Sequence, residues 1–143
     1  MPSSIDYQQL VHVAGDAIVV CDPHGVITLW NPAAEYMFGF SSTEALGQSL
    51  DLIIPERLRA RHWEGYRKTM ETGQTRYGHD VLRVPGLHKD GRAMSISFTV
   101  ALLYSNDKKI TGIASIIRDE TAKFNEERAL RKRLAELEAK AGV

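Results

Sequence analysis

Residues 92–103 carry the sharpest hydrophobic alternation in the chain, with Met94, Ile96, Phe98, Val100 and Leu102 separated by Ser95, Ser97, Thr99 and Ala101. A period of two predicts a strand with one strongly apolar face and one face of small residues. Short β-branched runs predict further strands at 17–20, 26–30 and 110–117. The first two are joined by Asp22-Pro23-His24-Gly25, in which Pro fixes φ and Gly accepts positive φ. Residues 76–84 read as another strand, with Pro85-Gly86 as a bulge or turn before the Lys89-Asp90-Gly91 hairpin.

Helical patterns fill the spaces between. Asn31 has the chemistry of an N-cap, Pro32 suits the first helical position, and Gly39 stops the helix over 33–38. Ser41 and Glu44 have capping-box spacing for a second short helix ending at Gly47. A longer helix is expected over 56–72, between Pro55 and Gly73. Its Leu58, His62, Tyr66 and Thr69 share one face, which places His62 on the inward stripe, while Arg57, Arg59, Arg61, Arg67 and Lys68 make much of the remainder basic and solvated. Residues 4–14 suit a short amphipathic helix capped by Ser3 or Ser4, with Ile5, Leu10, Val11 and Val13 as its apolar side. The stretch 119–141 lacks Gly and Pro, and Leu130, Leu134, Leu137 and Ala141 form a heptad seam of less than two heptads. Such a helix either folds back on its domain or serves as a dimer stem and signal transmitter, and we prefer the second. Five antiparallel strands with helices on one face make an α+β domain.

The 143 residues carry 18 positive and 18 negative side chains, which gives no footprint for nucleic acid or an anionic membrane. A lone Cys21 at a strand end suits a buried thiol and a reducing compartment. With no signal peptide and no long apolar run, the expectation is a cytoplasmic protein. Walker, HExxH, CxxC and nucleophile-elbow patterns are absent, and Asp22, Glu35, Asp51, Asp80 and Asp90 are scattered, so an enzyme is not expected. His79-Asp80 makes a poor chelate, because neighbours on a strand face opposite ways. His12 and His24 are expected to be exposed, and His88 to sit at a turn.

The order strand, Asp22-x-x-Gly25, strand, the run 30–40 (WNPAAEYMFGF) and then Glu44-Ala45-Leu46-Gly47 resembles the start of a PAS domain. Ile53-Ile54-Pro55, Met70-Glu71-Thr72-Gly73, His88-Lys89-Asp90-Gly91 and the closing Ile117-Arg118-Asp119-Glu120-Thr121 extend the resemblance over roughly residues 14–121. It implies an N-terminal helical cap at 1–14, a sensor domain at 15–119 and a signalling or dimerisation helix at 120–143. It also implies a role in signal transduction or transcriptional control, through a ligand held between helices and sheet. A closer resemblance is to the haem-binding PAS gas sensors, whose iron-ligating histidine stands where His62 stands, eight residues before Met70-Glu71-Thr72-Gly73. By that resemblance Lys68 and Arg76 hold the haem propionates, and Leu82, Phe98 and Val100 line the distal side. The sequence departs from the pattern at Leu82, where oxygen sensors of this type carry an arginine; Arg83 is adjacent but alternates to the other face unless a bulge near Pro85 shifts it. The reading is a haem-PAS sensor that homodimerises through its terminal helices and addresses a downstream signalling protein, with neither nucleic acid nor membrane as partner. The alternative is a PAS module that binds no ligand, or a small apolar one, and serves dimerisation.

Overall fold

In the computed structural model, which describes residues 4–75 and 80–142, five strands form one antiparallel sheet. They are β1 (Ala17–Cys21), β2 (Ile27–Trp30), β3 (Leu82–Leu87), β4 (Ala93–Tyr104) and β5 (Ile110–Asp119), in the spatial order β2-β1-β5-β4-β3. Between β2 and β3 the chain forms α2 (Pro32–Phe38), α3 (Ser42–Ala45), a 3-10 turn (Leu50–Ile53) and α4 (Glu56–Thr72). Helix α1 (Tyr7–Val13) precedes the sheet and α5 (Thr121–Lys140) follows it. The α+β class is the one that the hydrophobic pattern requires.

Register decides which side chains share the core. Ala17 and Phe98 both lie opposite Ile117, and Leu82 lies opposite Phe98, so these four share one face. That face supplies Ala17, Val19 and Cys21 from β1, Met94 and Ile96 from β4, and Ile113 and Ile117 from β5. Phe38 and Ala34 of α2 and Tyr66 of α4 join them in the buried cluster, with Ile27, Trp30, Ala45, Ile53 and Ile54. The caps follow the sequence: Asn31 and Ser41 accept from backbone N–H groups, the Ser41–Glu44 capping box is closed on both sides, and Gly39 ends α2 at φ +84°.

Three expectations need correction. Pro85 and Gly86 form part of β3 itself, opposite Ser95 and Met94, and not a turn. β3 is an edge strand, where a residue without an N–H is tolerated, and Ile96 lies over Gly86, with methyl carbons 3.3–3.4 Å from where a Cβ would stand. β3 begins at Leu82, while residues 76–79 of the expected strand lie outside the described residues. Helix α1 is capped by Asp6, which accepts from Gln9 N–H at 3.0 Å, and not by Ser3 or Ser4.

The buried Asn31 does more than cap α2. Its Oδ1 accepts from Ala34 N–H (3.0 Å) and Ile18 N–H (2.9 Å), and its Nδ2 donates to Val11 O (2.9 Å) and Asp16 O (3.2 Å). Helix α5 has no buried residue and is rooted on β4. Ser95 O accepts from Glu120 N–H (2.8 Å), Ser95 N–H donates to Thr121 Oγ1 (3.0 Å), and Ser97 Oγ donates to Glu120 Oε1 (3.2 Å).

Asn31→Ala is expected to destabilise the domain by about 3 kcal/mol, combining a lost cap with buried groups left unpaired. A urea titration checks this, and a loss under about 1 kcal/mol would show that water replaces the carboxamide.

Candidate functional site

Helix α4 places His62, Trp63, Tyr66 and Met70 at spacings of one, three and four, on the side that faces the β1–β2 turn and the sheet. Gly25 in that turn has φ +82°, and a Cβ there would lie 2.2 Å from the Trp63 ring. The absence of a side chain at Gly25 is therefore the seat of the indole. Trp63 Nε1–H donates to Asp51 Oδ1 at 2.7 Å, and Tyr66 Oη–H donates to Asp22 O at 2.5 Å. These two bonds hold α4 at the 3-10 turn and at the end of β1. Asp22 and Asp51, scattered in sequence, thus both meet α4, one through its carbonyl and one through its carboxylate.

His62 stands beside this pair, with its ring 4.5 Å from Trp63 in an edge-on arrangement (79°) and 5.8 Å from Tyr66. Its Nδ1 is buried and makes no hydrogen bond, the one such side-chain atom among the described residues. Burial lowers the His62 pKa below its ordinary value, against a smaller upward pull from Asp51, so the imidazole is held neutral. Burial raises the Tyr66 pKa, and burial with the neighbouring Asp22 pushes the Cys21 thiol up to about 12. Cys21 is accordingly an inert core thiol.

The other expected site residues are placed unevenly. Phe98 and Val100 are half-buried on the inner sheet face, opposite Ile117 and Ser115, and Leu82 lies beside Phe98 on β3. The β3–β4 ladder is unbroken from Leu82 to Leu87, so no bulge brings Arg83 inward, and it faces out opposite Ser97. Lys68 is exposed, with Nζ 3.8 Å from Glu64 Oε1. Arg76 and His79 lie outside the described residues. His12 and His24 are exposed, whereas the His88 ring is packed against Gly39, its Nδ1 accepting from Asp90 N–H at 3.1 Å. Sequence reasoning missed Trp63; its signal was the spacing of three to Tyr66 and a glycine turn able to receive a large ring. Among the described residues, no three His, Cys, Asp or Glu side chains gather as a metal site.

Comparison with known proteins places this geometry. The profile of the PAS fold family matches residues 5–119, and the chain belongs to that family. It is a PAS sensory signalling module. It is 30% identical over 133 residues to the sensor protein FixL of Bradyrhizobium diazoefficiens, a match covering 92% of this chain and 25% of FixL. It is 27% identical over 106 residues to the oxygen sensor protein DosP of Escherichia coli, covering 74% of this chain and 13% of DosP. The chain therefore spans a quarter or less of these relatives. The crystal structure of a PAS domain from Colwellia psychrerythraea superposes with a TM-score of 0.71 at 26% identity, covering 81% of this chain and 95% of that one. No described helix is long and apolar enough to cross a membrane.

A histidine whose folded pKa lies below its unfolded value binds its proton more readily in the unfolded chain. Its contribution is complete above the ordinary value of 6.5 and declines as pH falls below it, down to the depressed folded value. The urea midpoint is expected to fall between pH 7.5 and pH 5.5, and His62→Phe to flatten that fall, as equilibrium unfolding at several pH values will measure.

Proposed function

We propose that the domain is a haem-PAS sensor in which His62 would bind the iron. The observation that supports this most is the His62 imidazole itself, held neutral in an aromatic setting with a buried nitrogen that no protein group satisfies. Neutral imidazole is what iron takes. The apolar inner face of Phe98, Val100 and Leu82 suits a flat hydrophobic macrocycle, and the likeness to an oxygen sensor protein agrees. The propionate side fits less well, since Lys68 points to Glu64 and must leave it to meet a propionate, with Arg76 assigned as the second cation.

Haem b, held by His62 with Lys68 and Arg76 toward its propionates, would supply a redox-active iron able to take a diatomic gas. The residues of the chain fix its selectivity. Leu82, Phe98 and Val100 offer no hydrogen-bond donor and Arg83 faces away, so this wall would give dioxygen no polar partner and would relatively favour carbon monoxide or nitric oxide. Phe98 faces the ligand side, and its neighbour Ser97 grips Glu120 at the root of α5, which gives a short path from ligand to helix. The module catalyses no reaction in this reading, works in the cytoplasm and hands its state to a downstream signalling protein.

A second reading has its own observation. Trp63 already fills the seat at Gly25 and Tyr66 already closes on Asp22, so the aromatic face of α4 is packed by side chains alone. This favours a PAS module with no ligand, or a small apolar one, that serves homodimerisation.

Absorption spectra before and after adding hemin separate the two. The haem reading expects a sharp Soret band that shifts on reduction and with carbon monoxide, and that is lost in His62→Ala. A flat visible spectrum in both samples would sink it and leave His62 as a core side chain.

A further inference from the structure

We propose that the β1–β2 turn positions the His62 imidazole, with Gly25 acting through the ring of Trp63. A histidine in a binding site is commonly oriented by a hydrogen bond at its second ring nitrogen. The Nδ1 of His62 is buried and has no such bond. Rotation about the last side-chain torsion of a histidine is soft, so packing alone can fix the plane of this ring. Two rings supply that packing. Trp63 stands edge-on at 4.5 Å and 79°, and Tyr66 lies 5.8 Å away at 41°. The two also meet each other edge-on, at 5.2 Å and 69°.

Neither ring is held by α4 alone. The helix buries only Tyr66 and has no side-chain cap at its start. Trp63 reaches off it to Gly25, where φ is +82° and a Cβ would stand 2.2 Å from the indole. Its Nε1–H ends on Asp51 Oδ1 at 2.7 Å, and Arg59 ties the same stretch by donating to Ile54 O (3.0 Å) and Asp51 O (3.3 Å). Tyr66 Oη–H ends on Asp22 O, the carbonyl that also accepts from Gly25 N–H at 3.0 Å. One tight turn therefore grips both rings that flank the imidazole. The orientation of His62 is set from outside its own helix, and Trp63 and Gly25 are its positioning residues.

The use of that orientation rests on the haem reading, because an imidazole held in one plane presents its lone pair to iron along one line. The placement itself does not, and the test separates the two. Diethyl pyrocarbonate modifies neutral imidazoles, and mass spectrometry of the modified full chain reads each histidine, with exposed His12 and His24 as internal standards. His62 should react more slowly than either. Trp63→Leu and Gly25→Ala should each quicken it roughly tenfold against those standards. Trp63→Phe keeps a ring and should stay near the parent. In a Trp63→Leu chain, Gly25→Ala should add nothing, because its effect passes through the indole. A general loosening of the core would instead quicken His62 in every variant and add between them, and circular dichroism checks that each is folded. Equal rates in the parent and Trp63→Leu, a Trp63→Phe chain as reactive as Trp63→Leu, or additive effects of Gly25→Ala and Trp63→Leu would each overturn the proposal. Hemin added to the same variants should give a Soret band that shifts in Trp63→Leu and not in Trp63→Phe. A parent with no Soret band overturns the haem reading alone, and the modification rates still decide the placement.

Discussion

The side-chain amide of Asn31 hydrogen-bonds four backbone groups from three separate segments. Two of its bonds belong to the start of α2 and to β1; the other two reach Val11 at the end of α1 and Asp16 in the link to β1. A single buried carboxamide therefore sets where the N-terminal helix, the first strand and the helical layer meet. Neutral hydrogen bonds each add only about 1 kcal/mol net, but leaving their partners buried and unpaired costs more. That asymmetry makes the joint rigid. Arg118, exposed at the far end of β5, adds an ion pair to Asp16 beside the same joint, 3.2 Å between Nη2 and Oδ2.

With that corner fixed, the rest of the helical layer is positioned by two glycine seats. Gly25 receives Trp63 of α4, and Gly39 receives the ring of His88 from the β3–β4 hairpin. At each, positive φ is combined with a close ring, so a side chain is excluded by backbone conformation and by space. Lys89 strengthens the second seat, since its N–H donates to Phe38 O and its ammonium meets Glu44 at 2.5 Å. His62 lies beside the first of these anchors, its ring 4.5 Å from Trp63, while the pairing of β4 and β5 is continuous through Phe98.

Much of this is readable in the chain before folding. Asn31-Pro32, the Ser41–Glu44 box, Gly39 and Gly73 announce helix ends because caps use local chemistry. The alternation from Met94 to Leu102 announces a strand because burial on one face needs a period of two. What stayed hidden depended on long-range packing. Pro85-Gly86 looked like a turn because local propensity cannot see that β3 is the sheet edge, where Pro is accepted, or that Ile96 lies over Gly86. Trp63 and Gly25 are 38 positions apart in the sequence, and no periodicity links a ring to its seat. The orientation of Lys68 toward Glu64 was equally invisible, although the i, i+4 spacing was available.

In the proposed reading, coupling between the site and α5 would run through the register of one strand. Alternate residues of β4 face opposite sides, so Phe98 looks into the helical layer while Ser97 looks out. Ser97 and Ser95 together hold Glu120 and Thr121, and Asp119 Oδ1 accepts from Thr121 N–H at 2.9 Å, so the first turn of α5 is fastened to the strand and not merely adjacent to it. A change in what Phe98 packs against must move the backbone of β4 or be absorbed by its side chain. β4 is paired on both edges, and that leaves little slack for independent motion. In that reading a displacement would pass most directly to its outward neighbour, and from there to a helix with no buried residue to resist it. The lack of buried surface along α5 fits the proposed reading, because a helix that touched the domain along its length would be held against any movement of β4.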